Sequence, residues 1–324
     1  DNAMLRTANS FDMTQAITLG GVSTINVLLG EEMKLSGGVT GDGMLFKDGG
    51  GTLLLSGANS WSGGTWINDG TLRIEEGNYS AIAYNSDYVI TGGLLDLNGM
   101  DLRMRSLIGS DGEISINAST LTIAQDTDTI FAGRITGNNF DSNLIKTGSG
   151  MLVLTGNSSY YGSTTIYGGS LAISDARNIG LNSGSSRLEI NNNTALITLA
   201  DIELNRQVTL VGNATINTIF GTTLELSGPV TGSLGTLYKD GAGRLIISGN
   251  GTYGQGTVIA GGILQIGDGG TTGSLTGNIA NNSLLAFDRS NTYTYNGVIS
   301  GEGAVLQAGS GTTILTGDHS YTGN

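Results

Sequence analysis

The sequence predicts an all-β fold, and within that class a right-handed parallel β-helix of roughly 15 coils. Three observations lead to this prediction. Glycine is unusually frequent, with 55 glycines in 324 residues. Short segments alternate apolar and polar residues with a period of two, which is the period of a strand rather than of a helix. Finally, one segment recurs four times at unequal intervals, which favours stacked coils over a sandwich or a propeller.

The composition excludes several classes of protein. Charged residues make up 13% of the chain, against about 25% in typical globular proteins. The net charge of −13 argues against a nucleic-acid partner, because phosphate binding needs clustered Lys and Arg. The chain has no cysteine, which removes disulfides, thiolate metal sites and cysteine nucleophiles. No segment approaches the ~18 consecutive apolar residues of a membrane-spanning helix, so the chain is not expected to be embedded in a membrane.

One recurring segment organises the chain. It reads KDGGGTLLLSGANSWSGGTWINDGTLRI in its first copy, and the next two copies align with it without a gap. The copies lie at residues 47–74, 146–173, 239–266 and, cut short, 307–324. The intervals between the first three copies, 146 − 47 = 99 and 239 − 146 = 93, vary while the motif is kept. A weaker match relates residues 15–37 to residues 206–228 at a constant offset of 191, which indicates duplication of a longer unit.

The end of each copy shows the strand alternation most clearly. Leu72 and Ile74 flank Arg73, and the flanking positions stay Leu or Ile in later copies while the middle residue changes. One face of such a strand is expected in a core and the other in water. Propeller blades would recur at a fixed ~40–50 residues, whereas a solenoid tolerates unequal intervals because each coil of roughly 20 residues needs only to stack on its neighbours. Residues 1–324 are therefore predicted to form a single β-helix fragment.

The repeat resembles the autotransporter-associated β-strand repeat of Gram-negative autotransporter passenger domains. That family's pattern is a Lys, Gly-x-Gly, a Leu-rich strand ending in Ser/Thr-Gly, an Asn-x-Tyr-like turn, Gly-Gly-Thr, and Gly-Thr-Leu-x-Ile. The matching positions in the first copy are Lys47, Gly49, Gly51, Leu53, Leu55, Ser56, Gly57, Asn59, Trp61, Gly63, Gly64, Thr65, Gly70, Thr71, Leu72 and Ile74. Later copies depart from the pattern mildly, at Ser158, Ser163, Gly251 and Gln255.

The repeat positions are interpreted as structural. They comprise Gly49, Gly51, Leu53, Leu55, Gly57, Trp61, Leu72 and Ile74 in the first copy, Tyr160, Leu171 and Ile173 in the second, Tyr253, Leu264 and Ile266 in the third, and Tyr321 in the fourth. The aromatic position could grip a carbohydrate or a partner. We favour a ring that covers the turn after the Leu-rich strand, because copies several coils apart make no continuous stripe.

Two further repeat positions admit a binding interpretation. Lys47, Lys146 and Lys239 could contact an anionic ligand, but we favour stems that lie along the sheet with the ammonium group in water. The middle residue of the Leu-rich strand is apolar in every copy and is expected to point outward. These residues are Leu54, Val153, Ile246 and Ile314. Exposed apolar groups mark interfaces in some proteins, but isolated ones are common, so no partner is assigned to them.

The sequence supplies little for catalysis. His319 is the only histidine, and it lies beside Asp318 and Ser320 in the truncated copy, where a catalytic relay would lack a rigid surround. Asp126 and Asp128 share a strand face, but no third ligand for a cation is identified. Two other acidic pairs are expected at solvated coil edges: Glu31–Glu32 and Glu75–Glu76. We predict no catalytic residue, no metal and no cofactor, and we do not expect an enzyme.

The resemblance implies a passenger that is exported to the outside of a Gram-negative cell and tethered through a downstream membrane barrel. Because the chain stops inside a repeat, we expect an excised fragment. Members of the family commonly act as adhesins, self-associating aggregation factors or toxin scaffolds. The leading hypothesis is a rigid adhesive scaffold for adhesion, autoaggregation or biofilm formation, which binds itself or a host-surface protein or glycan. A secreted toxin or virulence scaffold and a polysaccharide lyase or hydrolase on a β-helix are the alternatives.

Overall fold

The computed structural model describes residues 3–323, which are built almost wholly of short β-strands. They form 38 strands and one short 3-10 helix, Ala176–Ile179. The described strand pairings are parallel. No helix within residues 3–323 is both long enough and apolar enough to cross a membrane. The predicted all-β parallel fold is confirmed, while Asn324, the last residue of the truncated repeat, lies outside the described residues.

Contacts divide the chain into two compact units. Unit 1 consists of Asp1–Ser163 with Arg177–Leu181, and unit 2 consists of Thr164–Ala176 with Asn182–Asn324. The strands of unit 1 are β1 (Ala3–Thr7), β2 (Phe11–Met13), β3 (Ile17–Leu19), β4 (Val22–Val27), β5 (Glu32–Leu35), β6 (Val39–Gly41), β7 (Met44–Asp48), β8 (Thr52–Leu55), β9 (Thr65–Ile67), β10 (Thr71–Ile74), β11 (Ser86–Ile90), β12 (Leu94–Asp96), β13 (Leu102–Ile108), β14 (Glu113–Ser115), β15 (Thr120–Ala124), β16 (Thr129–Phe131), β17 (Arg134–Thr136), β18 (Asn143–Thr147) and β19 (Met151–Leu154).

Unit 2 contains the remaining strands. They are β20 (Thr164–Ile166), β21 (Ser170–Ile173), β22 (Arg187–Ile190), β23 (Thr194–Thr198), β24 (Ile202–Leu204), β25 (Gln207–Leu210), β26 (Asn213–Thr218), β27 (Thr223–Leu226), β28 (Val230–Thr231), β29 (Thr236–Asp240), β30 (Arg244–Ile247), β31 (Thr257–Ile259), β32 (Ile263–Ile266), β33 (Ile279–Asn281), β34 (Leu284–Phe287), β35 (Thr292–Tyr295), β36 (Ile299–Ser300), β37 (Ala304–Gln307) and β38 (Thr312–Leu315).

Successive strands in each unit alternate between sheets, so that each sheet collects one strand from every turn. In unit 1 the two large sheets have the orders β1-β4-β7-β9-β11-β13-β15-β18 and β2-β5-β8-β10-β12-β14-β17. In unit 2 the largest sheets have the orders β21-β23-β26-β29-β31-β33-β36 and β24-β27-β30-β32-β34-β37. Each unit is therefore a parallel β-solenoid.

The length of a turn agrees with the roughly 20 residues assumed from the sequence. Paired residues of neighbouring turns lie between 104 − 86 = 18 and 195 − 170 = 25 positions apart, as at Ser86↔Met104 and Ser170↔Ala195. The chain makes about 16 turns in all. The predicted number of coils is therefore close to the observed number.

Equivalent side chains of neighbouring turns stack in register and form the core of each unit. Strand β8 pairs with β5 and β10, which places Met33, Leu53 and Leu72 in one ladder. All three side chains are fully buried. Each such burial contributes about 1.5–3 kcal/mol relative to an exposed side chain. Because Arg73 lies between Leu72 and Ile74, alternation turns it to the outer face, where it is only half-buried.

The first and third repeat copies each span one full turn and the first strands of the next turn, which stack on the strands that begin the copy. In the first copy β7 pairs with β9 and β8 pairs with β10. In the third copy β29 pairs with β31 and β30 pairs with β32. Leu53 accordingly pairs with Leu72 at a separation of 72 − 53 = 19 residues. The two halves of the motif therefore pack against each other in neighbouring turns.

The Gly-x-Gly of the repeat has a backbone explanation. Gly49 has a φ of 73°, in the left-handed region that residues with a side chain rarely adopt. At Gly51 a Cβ atom would lie 2.2 Å from the carbonyl oxygen of Leu28 in the turn below. The two glycines therefore make the tight corner between β7 and β8, one through its dihedral angle and the other through close contact between turns.

Candidate functional site

The aliphatic repeat positions predicted from the sequence lie inside the core of their unit. Their exposed fraction is 0% at Leu53, Leu55, Leu72, Ile74, Leu171, Ile173, Leu264 and Ile266. Gly57 is also buried, and a Cβ atom there would meet the backbone nitrogen of Gly38 at 2.2 Å. Since these positions do not reach solvent, they shape the scaffold and do not contact a partner directly.

The aromatic repeat position is buried in three copies, at Trp61, Tyr160 and Tyr253, and half-buried at Tyr321. The indole N–H of Trp61 donates to the carbonyl oxygen of Gly64 at 3.0 Å. In the third copy the hydroxyl of Tyr253 lies 2.7 Å from Oγ1 of Thr257. Gly64 directly precedes β9, and Thr257 is the first residue of β31. The rings of Trp61 and Tyr253 thus fill the corner between two strands and are almost wholly buried there.

The repeat lysines are buried, which corrects the prediction that their ammonium groups lie in water. Register explains the burial, because Lys47 pairs with Ile25 on one side and Ile67 on the other, in an inward-facing ladder. Its Nζ atom donates to the carbonyl oxygens of Asp48, Gly49 and Asp69 at 2.9, 2.6 and 2.9 Å. The exposed fraction is 0% at Lys47, Lys146 and Lys239.

The third copy repeats this arrangement. Nζ of Lys239 donates to the carbonyl oxygens of Asp240, Gly241 and Gly261 at 2.7, 2.9 and 3.0 Å. In the second copy Nζ of Lys146 donates to the carbonyl oxygens of the two residues that follow it, at 2.8 and 3.0 Å. Two acceptors thus come from the residues directly after the lysine, and in the first and third copies a third acceptor comes from the next turn.

The glycine that begins the Gly-x-Leu-x-Ile segment of the motif leaves space for this ammonium group. Gly70 and Gly262 both have a φ of 66°. A Cβ atom at Gly70 would lie 2.8 Å from Nζ of Lys47, and one at Gly262 would lie 2.9 Å from Nζ of Lys239. The spacing from the lysine to Gly-x-Gly, and then to the glycine of Gly-x-Leu-x-Ile, therefore describes one carbonyl-lined ammonium site.

Burial affects the protonation of these lysines. Desolvation lowers the pKa of Lys47 to about 8, and the nearby carboxylates of Asp69 and Asp48 oppose the shift in part. Burial likewise lowers the pKa values of Lys146 and Lys239 to about 8. The carbonyl acceptors favour the charged form, because an ammonium group donates more hydrogen bonds than an amine. The three lysines therefore stabilise turns and form no basic surface.

Outward-facing polar side chains form hydrogen-bonded ladders along the stacked turns. In unit 1 the Asp48 carboxylate accepts from Asn26 at 2.9 Å and from Asn68 at 3.0 Å. The Asn68 bond is the main reason that the pKa of Asp48 is lowered. In unit 2 Asn217 donates to Asp240 at 3.3 Å. The two asparagines that pair with these aspartates differ by 217 − 26 = 191 positions, the offset of the longer sequence duplication.

The middle residue of the Leu-rich strand points outward. Leu54 pairs with Lys34 on one side and Arg73 on the other, so long charged side chains flank it. It is half-buried, as are Val153 and Ile246, while Ile314 is exposed. Ile246 pairs with Glu225 and Gln265, so it too has polar ladder neighbours. Val153 pairs with Ile130, which is 56% exposed, so only this copy places two outward-facing apolar residues side by side among the three complete copies.

The residues considered for catalysis have structural contacts instead. Nδ1 of His319 accepts the backbone N–H of Ile299 at 3.1 Å, which is a contact between turns. Asp126 accepts the backbone N–H of Ser149 at 2.9 Å, and Asp128 accepts that of Met151 at 2.8 Å. Within residues 3–323 no three His, Asp or Glu side chains cluster closely enough to hold a metal ion.

In each of the other two acidic pairs one carboxylate contacts another turn, while Glu32 and Glu76 are exposed. Glu31 accepts the hydroxyl of Ser10 at 2.7 Å, and Glu75 forms an ion pair with Lys34 at 2.7 Å.

A groove in unit 1 was missed in the sequence. It has a volume of about 390 Å³ and lies beside the loop between β10 and β11, where Tyr79 and Tyr84 are 81% and 61% exposed. Asn59, Ser62 and Arg105 line it as well. The signal that could have revealed it is the pair of tyrosines in the loop EEGNYSAIAYN, which follows the first repeat copy.

Known proteins share the repeat described above. The passenger-associated-transport repeat matches residues 45–74, 144–173, 237–266 and 305–324. The chain is 38% identical over 220 residues to the adhesin BmaC autotransporter of Brucella suis biovar 1 (strain 1330), and the match covers 68% of this chain and 6% of that protein. The chain is an autotransporter passenger segment. Such passengers are carried to the Gram-negative cell surface, so the stacked turns described here face the outside of the cell.

The passenger segment also resembles a second relative. It is 27% identical to the probable autotransporter YfaL of Escherichia coli (strain K12), across 74% of the segment and 21% of that protein. The segment thus spans only a small part of the length of these two curated relatives. No solved structure matches it.

Proposed function

We propose that the passenger segment is a non-enzymatic adhesive scaffold, whose outward faces bind a second copy of the chain or a host-surface protein or glycan. The observation that supports this proposal is that the inward-facing and the outward-facing side chains differ in kind. The repeat residues are turned into the core, whereas hydrogen-bonded polar ladders and exposed tyrosines occupy the outer faces. The activity that we propose for these faces is adhesion, autoaggregation or biofilm formation.

The ladder around Asp48 illustrates how an outer face could bind. Asn26, Asp48, Asn68 and Thr91 belong to successive turns and are linked by side-chain hydrogen bonds of 2.9 to 3.2 Å. Because these side chains are already ordered, a partner would lose less conformational entropy on binding them. Repeated weak contacts along stacked turns would add up to a larger overall avidity.

The charge of the chain permits association between copies. A net charge of −13 spread over 324 residues is a low density. At physiological ionic strength the Debye length is about 8 Å, so charges on separate surfaces are largely screened. Like copies therefore repel only weakly.

One relative supports the adhesive role by its name, since the Brucella protein at 38% identity is an adhesin. A tether to the outer membrane would be supplied by a part of the protein other than these 324 residues. The alternatives of a toxin scaffold and a polysaccharide-cleaving enzyme receive no comparable support from the site.

Beads coated with the purified 324-residue chain provide the test. We expect coated beads to clump with each other or to attach to cultured epithelial cells, and free folded chain to inhibit the effect. Beads coated with urea-unfolded chain are the control, because they carry the same composition without the ordered faces. Beads that stay dispersed and do not attach to the cultured cells would contradict the adhesive role. Release of sugar fragments from a polysaccharide panel would contradict the non-enzymatic part of the proposal.

A further inference from the structure

The groove beside the loop 75–85 has exposed aromatic rings at its rim. Tyr79 and Tyr84 are 81% and 61% exposed, although Tyr88 of the neighbouring strand is fully buried. Leaving a large ring in water forgoes about 1.5–3 kcal/mol of burial energy. Two such rings beside one concave surface provide apolar area that a ligand could cover.

Hydrogen bonds to neighbouring turns hold the loop in place. Asn59 donates its backbone N–H to the carbonyl oxygen of Ser80 at 2.7 Å and its side-chain amide to that of Ala81 at 2.6 Å. The hydroxyl of Tyr88 donates to the carbonyl oxygen of Ala83 at 2.9 Å. Because the loop is tied at several points, the groove is preformed, and a preformed site loses less entropy when it binds a ligand.

The groove combines its rings with a few polar groups. Its volume of about 390 Å³ falls within the ~300–1,000 Å³ typical of small-molecule sites. Ser60 and Ser62 line it with hydroxyls that both donate and accept hydrogen bonds. Arg105 lines it as well and has five N–H donors, more than its contacts with Asp87 require.

The charge balance favours an uncharged ligand. Nε of Arg105 donates to the Asp87 carboxylate at 2.9 Å, and this ion pair leaves no net charge at the end of the groove. The Arg105 bond is the main reason that the pKa of Asp87 is lowered, so Asp87 keeps its charge in mildly acidic solution. The chain as a whole carries a net charge of −13, which disfavours an acidic ligand.

We propose that this groove binds a neutral oligosaccharide, an inference that rests on the proposed adhesive function and names one ligand class for it. A pyranose ring has C–H faces that pack on aromatic rings and hydroxyl groups that both donate and accept hydrogen bonds. Tyr79 and Tyr84 supply the rings, while the serine hydroxyls and Arg105 supply the polar partners. The loop follows the first repeat copy, so the repeat fixes the position of the site.

An array of immobilised glycans tests the proposal with the complete 324-residue chain. We expect binding to neutral oligosaccharides built from glucose, galactose, mannose or N-acetylglucosamine, in preference to sialylated or sulfated ones. In titrations with a bound glycan, the double variant Tyr79→Ala/Tyr84→Ala should weaken affinity at least tenfold. The variant Tyr79→Phe/Tyr84→Phe keeps both rings and should retain most of the affinity. Tyr167→Ala removes an exposed tyrosine of unit 2 and should leave the affinity unchanged.

Several results would refute the proposal that the groove binds a neutral oligosaccharide. They are the absence of binding to any neutral glycan, binding only to acidic glycans or to a protein ligand, and a neutral-glycan affinity that survives the double alanine change. Circular dichroism of each variant verifies that the fold is kept. If coated beads still clump although no glycan binds, the proposal that the groove binds a glycan is wrong, whereas the proposed adhesive function stands. If the beads bind a glycan but neither clump nor attach to cells, the proposed adhesive function is wrong, whereas the glycan groove stands.

Discussion

Replacing Lys47 with methionine tests whether the buried ammonium groups hold the repeat together. Methionine keeps an unbranched apolar stem between Ile25 and Ile67 but cannot donate to the three carbonyl oxygens. A hydrogen bond that involves a charged group contributes about 1.5–3 kcal/mol, so the three bonds together contribute about 4.5–9 kcal/mol. Methionine also avoids the cost of burying a charge, which is several kcal/mol. Because these two effects oppose each other, we expect a net destabilisation of about 2–4 kcal/mol.

The size of this effect should depend on pH. Folded Lys47 has a pKa of about 8 and an unfolded lysine one near 10.5, so between these values the unfolded state binds more protons. Stability contributed by this group then rises with pH, by up to about 1.4 kcal/mol per pH unit. The stability difference between the natural chain and Lys47→Met should therefore be constant below pH 8 and widen between pH 8 and 10.5.

Urea unfolding followed by tryptophan fluorescence measures both effects. Trp66 lies on β9 directly beside the Lys47–Ile67 pair, and it therefore reports on this region. Lys34→Met is the matched control, because Lys34 is a partly exposed lysine of the same unit in an ion pair with Glu75. We expect the control to change the unfolding midpoint little. Equal midpoints for the two variants at pH 7 would refute a stabilising role for the buried ammonium group.

Three other changes test other parts of the fold. Gly49→Ala should destabilise unit 1 by at least about 2 kcal/mol, because φ is 73° and the new Cβ would lie 2.4 Å from a carbonyl oxygen. The control Gly20→Ala, where a Cβ meets nothing within 4 Å, should be near neutral in the same urea titration. Trp61→Ala should lower the free energy of unfolding by about 3–5 kcal/mol, because it leaves a cavity. An unfolding midpoint equal to that of the natural chain would contradict the packing role of the ring in the corner. EDTA should leave Tm in calorimetry unchanged, because Asp126 and Asp128 accept backbone N–H groups; a lower Tm would indicate a bound cation.

Local patterns in the sequence were enough to predict the fold class. The Leu-x-Ile ends of the repeat alternate with a period of two, and the structure turns Leu72 and Ile74 inward and Arg73 outward. The interval from Leu53 to Leu72 is one turn long, so the motif itself contained the length of a coil. These features depend on residues close together in the chain, and for this reason they could be read without a structure.

The lysine site and the tyrosine groove could not be predicted in the same way. The burial of Lys47 depends partly on a carbonyl oxygen of Asp69, 22 residues away, and on the inward register of β7. A general preference of lysine for water gave the wrong answer there. Tyr79 and Tyr84 lie in a loop outside the repeat, and their exposure depends on how that loop packs against Asn59.

Pairing between adjacent turns has a consequence for folding kinetics. Leu53 and Leu72 are only 19 residues apart, and the strand partners within each unit have similar separations. A separation of 19 residues is roughly 0.06 of the chain length, and short separations between contacting residues favour fast folding. An all-β chain of this size would ordinarily fold slowly because distant strands must find each other. In this chain, each newly ordered turn instead provides the template for the following one.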